Sequence, residues 1–218
     1  GLYPGLDISY RYNERGSVFL SANRSMRLPT FTDLYYAGPE NKGNPDLLPE
    51  KATTFEAGVR ASGGIFRADA ALFFRKGNET IDWIWTDSLW QTRNLTELNT
   101  YGGEMNLWLM PGKSGAGLRW MEHFRISYSY TELNKPSDAY ISNYALDNLK
   151  HKVMLDLRIL LPLDMYLDTR VRWQDRNGSY LYYETPASIP YETPYAPFLL
   201  TDVTAGITFG QFDLYISA

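Results

Sequence analysis

Leu118-Arg119-Trp120-Met121-Glu122-His123-Phe124-Arg125-Ile126-Ser127-Tyr128-Ser129-Tyr130 decides the fold. One face reads Leu118, Trp120, Phe124, Ile126, Tyr128 and Tyr130, and the other Arg119, His123, Arg125, Ser127 and Ser129. Successive side chains of a strand point to opposite faces. A period of two with one apolar and one polar set therefore marks a strand between unlike surroundings. Downstream, Val153, Leu155, Leu157 and Ile159 alternate with Lys152, Met154, Asp156 and Arg158, and Met165, Leu167, Val171 and Trp173 with Asp168, Arg170, Arg172 and Gln174. Upstream, Phe66, Ala68, Ala70, Leu72 and Phe74 alternate with Arg67, Asp69 and Arg75. No stretch shows a comparable helical period, so almost no helix is predicted.

Working outward from these segments predicts about ten strands, near 6–13, 16–26, 51–62, 65–76, 94–110, 117–131, 150–161, 164–175, 198–209 and 212–218. Several exceed the ~5–6 residues common in globular sheets and approach the ~9–11 that cross a bilayer at a tilt. Short polar turns at 13–16, 62–64, 111–115, 162 and 210–211 alternate strictly with long connections at 27–50, 77–93, 132–149 and 176–197. Short turns then gather at one end and long loops at the other, as in an outer-membrane barrel. A β-sandwich rarely sorts its loops that way.

Composition removes other classes. The 218 residues include no cysteine, which excludes disulfide scaffolds, thiolate zinc sites and cysteine catalysis. Twenty-one Lys+Arg against 25 Asp+Glu give no basic footprint, so no nucleic-acid partner is expected. No apolar run reaches the ~18 residues of a transmembrane helix. A mean hydropathy of −0.36 fits a soluble protein, but membrane barrels also score as polar because half of their strand residues face water. The charges decide between these readings. Arg67, Asp69, Glu104, Arg119, Arg125, Arg158, Arg170 and Arg172 fall on the polar faces of predicted strands. A small soluble barrel is filled by apolar side chains, and so many ions would not share a dry core. They call for a wet lumen, with lipid against the aliphatic and aromatic faces. The predicted fold is all-β, an antiparallel transmembrane β-barrel segment. A soluble sheet with one wet face is the weaker alternative.

Two motifs carry a family resemblance. Ser21-Ala22-Asn23-Arg24-Ser25-Met26-Arg27-Leu28-Pro29-Thr30-Phe31-Thr32-Asp33-Leu34-Tyr35-Tyr36 is followed by Gly43-Asn44-Pro45-Asp46-Leu47-Leu48-Pro49-Glu50, then by Thr54, Glu56 and Gly58. Locally, Pro45 and Pro49 hold an extended turn, and Asn44 and Asp46 are suited to bonding nearby backbone. The pair resembles the barrel signature of TonB-dependent outer-membrane receptors. Asn94, Thr100, Gly102 and Glu104 resemble a later strand of the same family, and Phe212 to Ala218 its penultimate strand. The resemblance implies a 22-stranded barrel in the bacterial outer membrane. Residues 1–218 are expected to be its C-terminal portion, with the plug domain and last strand absent.

The implied function is import of a bulky nutrient. The run Pro45 to Lys51 looks most like the cobalamin transporter branch, with siderophore receptors as the alternative. Residues 31–44 lack the histidine usual in haem receptors, and glycan importers of the superfamily are larger. The implied partners are the nutrient, outer-membrane lipid, the TonB energy-coupling complex acting through a plug, and a surface-exposed lipoprotein. An outer-membrane barrel enzyme is the rival from another class. Its nearest constellation is His123 with Arg119 and Glu122, which alternate between faces, so no enzyme activity is expected.

No cofactor and no metal site are expected. His123 and His151 lack ligand spacing and fit solvated histidines. The pairs Asp82 with Asp87 and Asp33 with Asp46 offer too few ligands for calcium. The candidate ligand contacts are loop aromatics, whose amphipathic rings grip a bulky ligand while staying wet: Tyr35, Tyr36, Trp83, Trp85, Trp90, Tyr140, Tyr144, Tyr180, Tyr182, Tyr183, Tyr191 and Tyr195. Trp83 and Trp85 suit an interfacial girdle equally well.

Overall fold

The computed structural model describes all residues except 87–88, 112–117, 135–147, 183 and 186–190. Ten strands form one antiparallel meander: β1 (Gly5–Asn13), β2 (Gly16–Arg27), β4 (Glu50–Ser62), β5 (Phe66–Thr86), β6 (Leu89–Leu109), β7 (Met121–Asn134), β8 (Leu149–Leu161), β9 (Met165–Arg176), β12 (Phe198–Phe209) and β13 (Phe212–Ser217). The sheet stays open, with β1 and β13 as its edges. Outside the meander lie a short helix α1 (Phe31–Tyr35), a two-residue strand β3 (Asn41–Lys42) parallel to β6, and a hairpin of β10 (Ser179–Tyr182) and β11 (Tyr191–Pro194). No described helix is long and apolar enough to cross a membrane.

Register preserves the two faces across the whole sheet. Phe124 pairs with Leu157, Ile126 with Leu155, and Leu155 with Val171. One position along, Arg125 pairs with Asp156 and Asp156 with Arg170. Cross-strand pairs of this kind are the unit of sheet stabilisation. The apolar face is open at Leu6, Leu20, Phe55, Leu72 and Ile216, whereas Phe124, Ile126, Leu155 and Leu157 are half-buried. A groove of about 520 Å³ runs between Leu20, Phe55, Leu72 and Phe74, floored by Ala22 and Ala57.

Two expectations need correction. The span 77–93 is not a loop, because β5 and β6 each run 21 residues and continue together from Thr80↔Leu95 to Thr86↔Leu89. β4 leaves the edge of β5 at Lys51↔Asn78 and β7 joins β6 only from Asn99↔Asn134, so this extension stands beyond the sheet. Secondly, Leu118, Arg119 and Trp120 precede β7 in a turn, and the register shifts between Met121 and His123. Arg119 therefore lies on no strand face.

Candidate functional site

The end with long connections carries a small core of its own. Residues 28–49 fold against the β5–β6 extension, and Leu47, Ile81, Ile84 and Leu95 are buried between them. Asp82 and Thr92 are 1% and 0% exposed. The signature residues make the join. Thr30 caps α1: its hydroxyl accepts from the Asp33 N–H at 3.1 Å, and the Asp33 carboxylate accepts from the Thr30 N–H at 2.9 Å. The Thr92 hydroxyl donates to the Asp33 carbonyl at 2.8 Å. The Asn44 side chain accepts from the Asp46 N–H at 3.0 Å, as its place in the turn suggested. Gly43 runs against the Leu34 and Asp33 backbone, where a Cβ would meet backbone atoms at 2.8–2.9 Å.

Asn94 clamps the second motif. Its carbonyl accepts from the Leu48 N–H at 2.8 Å, and its amide donates to Leu48 O at 2.9 Å and Glu79 O at 2.7 Å. Glu50 takes both Arg27 Nε at 2.6 Å and Nη2 at 2.8 Å, and accepts from the Ile81 N–H at 2.7 Å. Partial burial alone would push the Glu50 carboxyl up, but the Arg27 and Ile81 hydrogen bonds and the Arg27 charge outweigh it and hold it below the usual carboxylate range. Arg27 is raised in turn, chiefly by its hydrogen bond to Glu50.

The candidate aromatics fall into two groups. On the extension, Tyr36 packs edge-on against Trp83 at 6.2 Å and Trp85 against Trp90 at 5.4 Å, while Tyr35 pairs with Phe31 at 4.9 Å. On the β10–β11 hairpin, Tyr182 meets Tyr191 at 5.3 Å and Tyr180 meets Tyr195 at 5.5 Å. The guanidinium of Arg176, missed in the sequence, lies 4.8 Å from the Tyr195 ring. Tyr180, Tyr182 and Tyr191 stay 43–51% exposed despite these contacts. Such rings, with a polar tip and an apolar face in solution, are suited to gripping a bulky ligand. Tyr140, Tyr144 and Tyr183 lie outside the described residues.

The polar face forms a charged wall. Asp156 bridges Arg170 at 2.6 Å and Arg125 at 3.5 Å, and Arg158 reaches Glu122 at 3.3 Å and Asp168 at 3.5 Å. Arg158 also sits 4.2 Å from the Tyr166 ring, whose hydroxyl donates to Asp213 at 3.1 Å. That ring lies flat on Gly206 of β12, where a Cβ would fall 2.2 Å from a ring carbon. Asp69 accepts from Asn106 at 2.9 Å, and Arg67 covers Trp108. Glu104 faces the same side opposite Ser129. The buried Nε of Arg172 has no hydrogen-bond partner among the described residues. A cavity of about 450 Å³ opens on this wall beside Trp108, His123, Arg125 and Asp156. Glu122 and His123 both line this cavity, and Glu122 is paired with Arg158 at 3.3 Å.

His151 is not the solvated histidine its sequence context suggested. It faces the apolar side, with its Nδ1 2.9 Å from the Tyr128 hydroxyl and its ring beside Tyr130 and Trp173. No group of three or more potential metal ligands occurs among the described residues.

A family model described as "TonB dependent receptor-like, beta-barrel" matches residues 1–218. The chain belongs to the TonB-dependent receptor β-barrel family. It is a protein of the outer membrane. In sequence it is similar to the "Vitamin B12 transporter BtuB" of Vibrio vulnificus, at 26% identity over 131 residues, covering 59% of this chain and 20% of that protein. In fold it is similar to a ferric enterobactin receptor mutant from Pseudomonas aeruginosa in complex with enterobactin (TM-score 0.73, 16% identity, 99% of this chain and 34% of that one). It is also similar to the "Copper transporter OprC" (TM-score 0.72, 12% identity, 98% and 32%) and to the FrpB iron transporter of Neisseria meningitidis (TM-score 0.67, 14% identity, 95% and 31%). The chain thus spans about a third of these structures and a fifth of the curated relative. Family and relatives are receptors and transporters.

Proposed function

We propose that this chain is the C-terminal part of the barrel of an outer-membrane active transporter whose nutrient is a corrinoid of the cobalamin type. The single observation that favours a corrinoid is the 26% identity to a vitamin B12 transporter across 131 residues, supported by the run Pro45 to Lys51. The likeness to iron and copper transporters, at 12–16% identity, speaks for the fold alone. In this reading the β10–β11 tyrosines and the aromatics of the extension contact the ligand, and the lumen charges face a plug that couples to TonB. No catalytic role is assigned to Glu122 and His123, which line one cavity, Glu122 with Arg158 at 3.3 Å.

Equilibrium binding to the full-length receptor in detergent tests it. Cyanocobalamin should bind saturably and outcompete ferric siderophores. Saturable binding of a ferric siderophore, with none of cyanocobalamin, would replace the corrinoid with an iron chelate.

A further inference from the structure

Three bases stand on the apolar face of the sheet rather than on its charged wall. Arg24 of β2, Lys51 of β4 and Lys76 of β5 share the alternation of Ala22, Phe55 and Phe74. Arg24 pairs with Thr53, Thr53 pairs on its other side with Lys76, and Lys51 is the next residue of this face along β4. Diagonal cross-strand neighbours such as Arg24 and Lys51 lie about 7–8 Å apart, and Lys76 is two strand spacings from Arg24, roughly 10 Å. The three cations thus surround Thr53. Lys76 is engaged by Glu97 at 3.2 Å. Arg24 and Lys51 are exposed, and neither forms an ion pair among the described residues.

The strands set the height of these bases. On the same face of β5, Phe66, Ala68, Ala70, Leu72 and Phe74 carry no charge. The run from Phe66 to Phe74 measures about 27 Å along the strand and roughly 21 Å at a tilt of ~40°, close to the ~25 Å apolar band of an outer-membrane barrel. The bases begin one step beyond it, at the end with the long connections, which is the outer end of such a barrel. The groove of about 520 Å³ between Leu20, Phe55, Leu72 and Phe74 runs directly beneath them. A lipid-facing charge costs little at this level, so the position accounts for bases being tolerated here. Their grouping over an apolar groove, two of them without a counter-ion, calls for an anion with an apolar tail.

We infer that Arg24 and Lys51 hold the phosphate of an anionic lipid of the outer leaflet, with one of its acyl chains in the groove floored by Ala22 and Ala57. A lipid phosphate accepts charge-assisted hydrogen bonds from both side chains, and burial of the acyl chain against Leu20, Phe55 and Leu72 adds an apolar contribution that a free anion lacks. The site requires only that the chain be an outer-membrane barrel, whichever nutrient it carries.

The test is native mass spectrometry of the delipidated full-length receptor in detergent. The probes are bisphosphorylated lipid A, its phosphate-free counterpart with the same acyl chains, and inorganic phosphate. The bisphosphorylated lipid should be retained about fivefold or more over the phosphate-free one, and equimolar inorganic phosphate should not displace it. Arg24→Gln/Lys51→Gln should remove that preference, and Arg24→Lys/Lys51→Arg, which keeps both charges, should preserve it. Ala57→Phe, which fills the groove floor, should weaken retention of both lipids. Arg11→Gln, on the opposite face of β1, should change neither.

Equal retention of the two lipids, or an undiminished preference in Arg24→Gln/Lys51→Gln, would reduce the bases to interfacial cations reaching for water and overturn the site. Displacement by equimolar inorganic phosphate would make it an ion site and overturn the lipid. Cyanocobalamin binding, read on the same samples, reports on the nutrient separately.

Discussion

The two structured projections at the loop end are built in opposite ways. The first, residues 28–49 on the β5–β6 extension, is welded: Asn94, Glu50 and Thr92 each reach across to a different segment. The second, the β10–β11 hairpin, is a four-pair ladder carrying one tilted and one edge-on tyrosine pair and one arginine–ring contact. In the proposed reading, the difference separates scaffold from ligand grip. The residues that carry the family signature are consumed by internal hydrogen bonds, while the exposed rings of the hairpin remain free to meet a ligand. On this account a signature motif in a loop reports how the loop is held.

The contrast is breakable, beginning with the largest effect. Asn94→Ala removes three hydrogen bonds and strands the Leu48 and Glu79 backbone groups, which should cost about 2–4 kcal/mol of local stability. Hydrogen exchange should speed up at 44–50 and 79–82 but not at 179–182. Equal acceleration in both regions would mean that the two are one unit.

Arg27→Ala leaves Glu50 half-buried without its cation. Because the Arg27 side chain is half exposed, the expected loss is about 1–2 kcal/mol, read as faster proteolytic nicking within 28–49. Thr30→Ala, which breaks the capping box, should cost about 0.5–1 kcal/mol by the same assay.

Acidity should also distinguish the regions. Glu50 is depressed in the folded state, so its contribution is fully present above the ordinary carboxylate value and is lost as pH falls through its lowered one. Hydrogen exchange corrected for pH should show 44–50 loosening in that acid window and no change between pH 6 and 8. Glu50→Gln should abolish the acid response.

Much of this was legible in the sequence. All ten meander strands follow the period of two, because each has one lipid and one wet face. The β5–β6 extension did not show it. There residues 28–49 cover part of the sheet, so Ile81, Asp82 and Ile84 are all buried and the clean alternation disappears. Arg119 was misplaced because alternation ran on by chance through a turn, and the shift at Met121 left no mark in composition.

The tyrosines of 180–195 were identifiable as loop aromatics, but their pairing depends on a hairpin register that no motif announces. His151 was misjudged because the rings around it come from β7 and β9, strands with no sequence proximity to it.

The division between scaffold and grip is tested most directly by ligand affinity in the variant Tyr182→Ala/Tyr191→Ala of the full-length receptor. With cyanocobalamin as the probe, Kd should rise at least about tenfold, the value of losing one or two ring contacts. Hydrogen exchange at 44–50 should stay unchanged. An unaltered Kd with intact binding in the parent receptor would contradict the account and return the tyrosine hairpin to a purely structural role.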